Sequence, residues 1–250
     1  MEILLLIFLI LGLIFGSFFN VVGLRVPKKQ AFTNDRSFCP QCKHTLSWYE
    51  LIPVLSYILQ RGKCRNCKTK ISVIYPIMEL ATGILFALSY VHFGFTVELI
   101  TSLLLMSMLV IIFVSDITYM IIPNKVLLFF LPLFIIIRVL EPLDPWWSPV
   151  AGSIIGFALI AIIILVSRGG MGAGDMKLFA VLGIVLGMKN VLLAFFLSCI
   201  IGSIFGIILL ALKIINRKQP VPFGPYIVVA TIITYFYGES LMNWYFNILV

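Results

Sequence analysis

The sequence predicts an all-α polytopic membrane protein with about eight transmembrane helices and one small polar domain after the first helix. Three observations support this fold class. Hydrophobic residues make up 62% of the 250 residues and charged residues 11%, whereas a soluble domain has about 25% charged residues. Several apolar runs approach or exceed the ~20 residues that cross a bilayer, and the mean hydropathy is +1.14. Only one sizeable polar segment, residues 25–75, interrupts these runs.

The net charge of the chain is concentrated in this polar segment. Residues 25–75 contain ten basic residues and two acidic ones, Asp35 and Glu50, so their local charge equals the +8 of the whole chain. A nucleic-acid surface is one interpretation of this charge. An excess of Lys and Arg also marks a cytoplasmic loop between membrane spans, and this interpretation is favoured. No nucleic-acid partner is therefore expected.

Four of the five cysteines form two Cys-x2-Cys pairs in the polar segment, and they are Cys39, Cys42, Cys64 and Cys67. In a reducing cytosol this spacing favours a metal site over disulfides. Two thiolate pairs can close a tetrahedral zinc site of the zinc-ribbon kind. We therefore expect structural zinc in a small cytoplasmic zinc-ribbon-like domain. Cys199 lies in an apolar run and is interpreted as a packing residue.

The apolar runs predict the spans and their direction. Basic residues follow the first run and only Glu2 precedes it, which favours a retained helix with its N-terminus outside over a secretory signal. Loop charge and span count then agree on eight crossings, with a turn at Lys189-Asn190 between the sixth and seventh. No internal repeat is evident. The predicted spans are residues 3–24, 74–93, 97–115, 125–140, 150–167, 177–188, 191–212 and 222–238.

Several polar residues lie within or near the spans. In Gly16-Ser17-Phe18-Phe19-Asn20 the small residues permit close helix packing and Asn20 can bond across helices, so packing is favoured over catalysis. Glu50 is either a solvated surface acid or a ligand for a cationic group. Glu79, one turn inside the second span, could reach the interface, pair with a basic residue or bind a substrate, and these alternatives stay open.

Two aspartates are predicted to reach the same cytoplasmic membrane face. Asp116 ends the third span, and Asp175 precedes the sixth within the glycine-rich stretch 169–178. Two carboxylates that share a site cannot both ionise cheaply, so the pair would hold one proton, as in aspartic proteases. A proton or cation path in a transporter would also place acids here. Sequence spacing does not establish that the two side chains meet.

Together these motifs resemble the type IV prepilin peptidases, a family of membrane aspartic proteases with a Gly-x-Gly-Asp motif. The resemblance covers nearly the whole chain and is strongest to the competence-associated members of Gram-positive bacteria. One departure is Asn124, where many members have Asp. The matching segments are Gly16-Ser17-Phe18-x-Asn20-Val21-Val22, Cys39-Pro40-x-Cys42, Ile52-Pro53-x-x-Ser56, Gly62-Lys63-Cys64-x-x-Cys67, Tyr75-Pro76-x-x-Glu79, Ile122-Pro123-Asn124 after Asp116, and Gly170-Met171-Gly172-Ala173-Gly174-Asp175-Met176-Lys177-Leu178.

The resemblance implies an activity with two steps. Family members cut the basic leader from prepilins or pseudopilins after a glycine, and many then methylate the new N-terminal amine with S-adenosylmethionine. It also implies three parts: residues 1–24 as the first transmembrane helix, 25–75 as a zinc domain linked to methyl transfer, and 76–250 as the peptidase core. The implied site residues are the catalytic pair Asp116 and Asp175, Gly172 and Gly174 of the peptidase motif, and Glu50 and Glu79 for methyl transfer.

Two alternatives to this activity stay open. One is a peptidase without methyl transfer, in which the zinc domain is purely structural. The other is a transporter in which Asp116 and Asp175 relay protons or cations. The resemblance places the protein in the bacterial cytoplasmic membrane, with the active site facing the cytoplasm. The chain carries no glycine-rich nucleotide motif of a soluble methyltransferase, so the methyl-donor pocket is not located.

Overall fold

A computed structural model describes residues 2–30, 37–167, 170–216 and 221–249. In these residues the chain is helical, apart from turns and two isolated β-bridges in the polar segment, so the all-α prediction is confirmed. The helices are α1 Glu2–Arg25, a short 3-10 helix Trp48–Leu51, α2 Leu55–Leu59, α3 Ile74–Phe93, α4 Val97–Tyr119, α5 Asn124–Leu140, α6 Ser148–Val166, α7 Ala173–Ala211 and α8 Gly224–Leu249. Several residues used in the sequence interpretation lie outside the described ranges, and they are Asp35, Arg36, Arg168, Gly169, Arg217 and Lys218.

Five of the described helices are long and apolar enough to cross a membrane. They are α1, α3, α4, α6 and α7. The prediction of a multi-pass membrane protein is therefore confirmed, while the count of about eight spans is somewhat high. One reason is length: α5 has 17 residues, or about 25 Å of helix, less than the ~30 Å hydrocarbon core of a bilayer.

The helical segment α7 reverses its direction at Gly187. This glycine has φ 74° and ψ 177°, a backbone conformation that interrupts the helix and that glycine adopts without steric cost. The ring centroids of Phe179 and Phe195 are 5.8 Å apart, whereas a continuous helix would separate these residues by about 24 Å. The turn predicted at Lys189-Asn190 therefore occurs slightly earlier. The first arm, residues 173–186, is only about 21 Å long, too short to cross fully.

The chain divides into two compact units, and the first is Met1–Val114. Within it, α1 packs against α3 through residues with small side chains. A Cβ added to Gly12 would lie 2.6 Å from the Thr82 carbonyl oxygen, so the two helix backbones are in close contact. Near the other end of the same contact, the Asn20 side-chain amide donates to the Tyr75 carbonyl at 3.1 Å. These pairings run antiparallel, and Asn20 makes the hydrogen bond across helices that the sequence predicted.

In the second unit, Ser115–Val250, α7 contacts α5, α6 and α8. A Cβ added to Gly183 would lie 2.2 Å from the backbone of Gly152, so α6 and this arm touch backbone to backbone. On α5, the buried Arg138 guanidinium donates to the Val185 carbonyl at 2.8 Å. Because such close contacts leave little freedom to shift, they fix the arm whose first turn contains Asp175.

Candidate active site and metal centre

Asp116 lies in the last turn of α4 and is 5% exposed. The helix ends just beyond it, where Met120 takes a φ of 55° and its N–H donates to the Asp116 carbonyl oxygen at 2.8 Å. The side-chain Oδ2 accepts the N–H of Gly224 at 2.9 Å. Gly224 is the first residue of α8, where backbone N–H groups have no acceptor within the helix. The Asp116 carboxylate supplies that acceptor.

Asp175 lies in the first turn of α7 and is 7% exposed. Its Oδ2 accepts the N–H of Gly172, the residue before the helix, at 3.0 Å. An acidic residue at this position satisfies a free N–H group and interacts favourably with the helix dipole. The glycine-rich stretch therefore places a carboxylate at the start of a helix and supplies its hydrogen-bond donor.

The structure brings the two aspartates into one site. The residues beside them are in contact, because Gly174 directly precedes Asp175 and Ile122 lies six residues after Asp116. Gly174 permits this approach, because a Cβ there would lie 3.0 Å from the Cβ of Ile122. Each carboxylate accepts an N–H at the start of a helix, and the positive ends of the α7 and α8 dipoles offset the repulsion between the acids. A buried pair of this kind suits proton exchange with a substrate.

Gly224 is a residue of this site that the sequence interpretation did not include. It stands in Pro222-Phe223-Gly224-Pro225, and proline is common in the first turn of a helix because an N–H group is not needed there. The flanking prolines therefore mark a helix start. Only the fold places this helix start against Asp116, which is 108 residues away.

A hydrogen bond joins the start of α5, eight residues after Asp116, to the start of α7, which carries Asp175. The Lys177 ammonium donates to Asn124 Oδ1 at 3.1 Å, and both side chains are exposed. Asn124 is the first residue of α5 and Lys177 lies in the first turns of α7. Asn124, the departure from the family pattern, thus bonds to the α7 segment that carries Asp175.

The four paired cysteines form a compact cluster in the first unit. Their sulfur atoms all lie within 4.8 Å of one another. Cys39 Sγ is 3.8 Å from Cys67 Sγ, and Cys42 Sγ is 4.0 Å from Cys64 Sγ. Zinc bound tetrahedrally at about 2.3 Å separates its sulfur ligands by about 3.8 Å. The cluster therefore has the ligand type and the spacing of a site that could hold zinc.

The two cysteine pairs are built in the same way. The Lys43 N–H donates to the Cys39 carbonyl at 2.9 Å, and the Lys68 N–H donates to the Cys64 carbonyl at 3.0 Å. Both lysines have a positive φ, 59° and 60°. Equivalent residues are 25 positions apart, so the segment contains a short structural repeat that the sequence interpretation did not detect.

Two thiols of the cluster are perturbed, in opposite directions. The backbone N–H groups of Cys42 and Gln41 act to lower the pKa of Cys39, but burial and the neighbouring Cys42 and Cys64 thiols raise it overall. Thr69 lowers the pKa of Cys67 to about 6, through its side chain, which lies 3.2 Å from Sγ, and through its backbone N–H. A lower pKa favours the thiolate, which is the form that binds a metal ion.

Glu50 is buried, and this excludes the interpretation as a solvated surface acid. Its Oε2 accepts the N–H of Ser47 at 2.9 Å and lies 3.6 Å from the imidazole of His44. Its Oε1 is buried without a hydrogen-bond partner among the residues that the structure describes. A buried carboxylate oxygen of this kind can accept a hydrogen bond from a bound donor such as an ammonium group.

Glu79 is also buried, and it bonds to two other segments of the first unit. Its Oε2 accepts the N–H of Val54 at 2.8 Å, and its side chain hydrogen-bonds the Ser17 side chain. Val54 has φ 61° and ψ −50°, inside a tight turn in which the Leu55 N–H donates to the Pro53 carbonyl. A positive φ is strained for a β-branched residue, and strain of this kind concentrates at functional sites.

The sequence matches two descriptions of protein families. Residues 10–93 match the bacterial peptidase A24 N-terminal domain, and residues 103–207 match the type IV leader peptidase family. The chain is 43% identical over 239 residues to a prepilin leader peptidase/N-methyltransferase of Bacillus subtilis, covering 96% of each chain. It is 32% identical to those of Aeromonas salmonicida and Pseudomonas aeruginosa, over 94% and 95% of its length and 91% of theirs. No solved structure matches the chain.

Proposed function

The chain belongs to the type IV leader peptidase family, and we propose that it cuts the basic leader from type IV prepilins or pseudopilins and then methylates the new N-terminal amine. The observation that carries the proposal is the buried pair Asp116 and Asp175, each held by a backbone N–H at the start of a helix. The relatives are named for peptidase and methyltransferase activity, so the transporter alternative receives no support.

The aspartate pair would carry out cleavage by acid–base chemistry. One carboxylate takes a proton from a water molecule, whose oxygen then attacks the scissile carbonyl carbon. The other, protonated, carboxyl donates its proton to the carbonyl oxygen. When the tetrahedral species collapses, the C–N bond breaks and the leaving amine takes the proton that the first carboxylate had removed from water. The carbonyl re-forms as its hydroxyl returns a proton to the second carboxylate, which restores the pair. Gly172 and Gly174 serve this step because they lack a side chain. A Cβ on Gly172 would lie 3.3 Å from Asp175 Oδ2, and a Cβ on Gly174 would lie 3.0 Å from the Cβ of Ile122.

The position of the pair suits a substrate that enters from the membrane face. Asp116 lies in the last turn of a long apolar helix and Asp175 in the first turn of the short apolar arm 173–186, which would place the pair at the cytoplasmic edge of the cytoplasmic membrane, with the N-terminus outside. A prepilin has its basic leader on that side and an apolar helix within the bilayer. The basic segment 25–75 would repel such a leader, and we assign its charge to topology and lipid headgroups.

Methyl transfer would use the buried acids of the first unit. S-adenosylmethionine would supply the methyl group when bound. Glu79 takes the proton that the new amine must lose before its nitrogen can accept a methyl group. Glu50, with its unpartnered Oε1, would hold a cationic group of the donor or the substrate. Zinc on the four cysteines would fix the segment that contains Glu50, with no chemical role of its own.

The test uses the full-length protein in detergent, a peptide with a basic leader followed by Gly-Phe, and S-adenosylmethionine. Mass spectrometry would detect cleavage after the glycine and a mass gain of one CH2 group on the new N-terminus. We expect Asp116→Asn and Asp175→Asn each to lower the cleavage rate by about 10³-fold or more, because each removes one partner of the acid–base pair.

A pre-cut peptide provides the control for these variants, because both should still methylate it. Cleavage by the parent without a mass gain would leave a peptidase only. A parent protein that leaves the peptide uncut, or an aspartate variant that cuts at the parent rate, would refute the proposed dyad.

A further inference from the structure

The backbone of Gly224 is in closer contact with Asp116 than any residue with a side chain would allow. Its N–H donates to Asp116 Oδ2 at 2.9 Å in a buried position. A Cβ built on Gly224 would lie 2.6 Å from Oδ2, 2.8 Å from Cγ and 3.0 Å from Cβ of the same aspartate. Since contacts between carbon and its neighbours are ordinarily 3.4 Å or more, even alanine would force one partner to move.

The segment around Gly224 is suited to holding this position. The following residue, Pro225, has a fixed φ and needs no acceptor in the first turn of α8. The N–H groups of Tyr226 and Ile227 both donate to the Phe223 carbonyl, at 3.1 and 3.2 Å. The N–H groups of Tyr226 and Ile227 thus find an acceptor within the segment itself, whereas the Gly224 N–H donates to Asp116.

We infer that Gly224 is a positioning residue of the peptidase, acting through Asp116; this inference rests on the proposed function. With Oδ2 held by the Gly224 N–H, the carboxyl group keeps one orientation, and Oδ1 becomes the atom that exchanges a proton with water or substrate. Gly172 holds Oδ2 of Asp175 in the same manner at 3.0 Å. The two helix starts thus set which oxygen of each aspartate takes part in the reaction.

The first test is Gly224→Ala in the full-length protein, assayed with the leader peptide and with the pre-cut peptide. Displacing a catalytic group by about 1 Å can cost about 100-fold in rate, so we expect kcat for cleavage to fall about 100-fold. KM should change less than about threefold, because a positioning residue does not bind the substrate. Methylation of the pre-cut peptide should be unchanged. Gly206→Ala is the matched control, since a Cβ there would meet nothing within 4 Å.

A second measurement does not depend on activity. In a double-mutant cycle, Gly224→Ala should lower the Tm of the parent, and this loss should shrink by at least about half in an Asp116→Ala background, where the obstructing carboxyl group is absent. An equal loss in both backgrounds would overturn the inferred contact.

The kinetic outcomes separate the inference from the function on which it rests. A parent that cuts and a Gly224→Ala variant that cuts at a similar rate would overturn the role of Gly224 alone. Parallel loss of cleavage and methylation in that variant would also overturn it, because this pattern indicates a general folding defect. A parent that leaves the peptide uncut would overturn the proposed function itself.

Discussion

The cysteine cluster and the aspartate pair hold their functional side chains by contacts of very different range. In the cluster, each Cys-x2-Cys pair is shaped by a bond between residues four apart, such as the Lys43 N–H to the Cys39 carbonyl. In the aspartate pair, the Gly224 N–H reaches Asp116 across 108 positions of sequence. The cluster is therefore shaped by local turns and has the spacing to hold a metal ion, whereas the pair depends on how the helices of the second unit pack.

This difference has consequences for the proposed reactions. Metal binding contributes directly to the folding free energy of a small site, so loss of zinc should disturb the first unit before the second. The packing that holds the aspartates uses backbone contacts, such as those of Gly183 with Gly152, and needs no ligand. Methyl transfer and cleavage should thus respond to different changes, and three variants test how far the two regions can be separated.

Of these three variants, Glu79→Gln in the first unit is expected to have the largest effect. Glutamine keeps an acceptor for the Val54 N–H but cannot take a proton from an amine, so methylation of a pre-cut peptide should fall about 100-fold or more. Cleavage should stay within about threefold of the parent. Mass spectrometry of both products under one set of conditions measures the two rates together.

The aspartate variants should give the opposite result, with loss of cleavage and unchanged methylation of the pre-cut peptide. If Asp175→Asn lost cleavage alone and Glu79→Gln lost methylation alone, the two activities would be assigned to separate residues. A Glu79→Gln variant that still methylated at the parent rate would remove Glu79 from the reaction and leave it a structural acid bonded to Ser17 and Val54.

The same contrast explains what could be predicted from sequence. The spacing within each Cys-x2-Cys pair places two sulfurs on one turn, so the sequence was sufficient to identify the four-cysteine cluster that could hold a metal ion. The apolar runs similarly predicted the helices, because periodicity and length are local properties. The turn at Gly187 was misplaced by two residues, since only a backbone angle, and no change in polarity, marks it.

The aspartate pair could be predicted only in part. The glycine-rich stretch and the helix end marked Asp175 and Asp116 as unusual acids, but spacing could not establish that they share a site. Gly224 was not predicted, because its partner lies on another helix and its own neighbours show only a helix start. The burial of Glu50 was also beyond the sequence, since a single acid in a basic segment is usually solvated.

A smaller effect is expected from removing one cysteine of the cluster. Cys64→Ser leaves three thiol ligands, which weakens a tetrahedral zinc site and loosens the segment between the pairs. We expect bound zinc, measured by metal analysis of the purified protein, to fall below half occupancy and methylation to fall about tenfold. Cleavage should change less than about threefold.

Cys199→Ser is the matched control for this variant, because Cys199 lies on α7, outside the cluster. It should retain zinc and both activities. If Cys64→Ser instead lost cleavage as strongly as methylation, the separation between the two regions would not hold, and the metal site would support the whole protein.

The smallest effect is expected at the contact between Lys177 and Asn124. Because both side chains are exposed, a hydrogen bond here contributes only about 0.5–1 kcal/mol, and Lys177→Met should lower kcat for cleavage about two- to fivefold without affecting methylation. Asn124→Asp replaces the amide acceptor with a carboxylate and should keep the parent rate, since an ion pair can replace the hydrogen bond. In a double-mutant cycle, Lys177→Met should lower kcat for cleavage by at least as large a factor in the Asn124→Asp background as in the parent. An Asn124→Asp variant as slow as Lys177→Met would mean that the amide itself, rather than its bond to the lysine, sets the distance between the end of α4, which carries Asp116, and the start of α7, which carries Asp175.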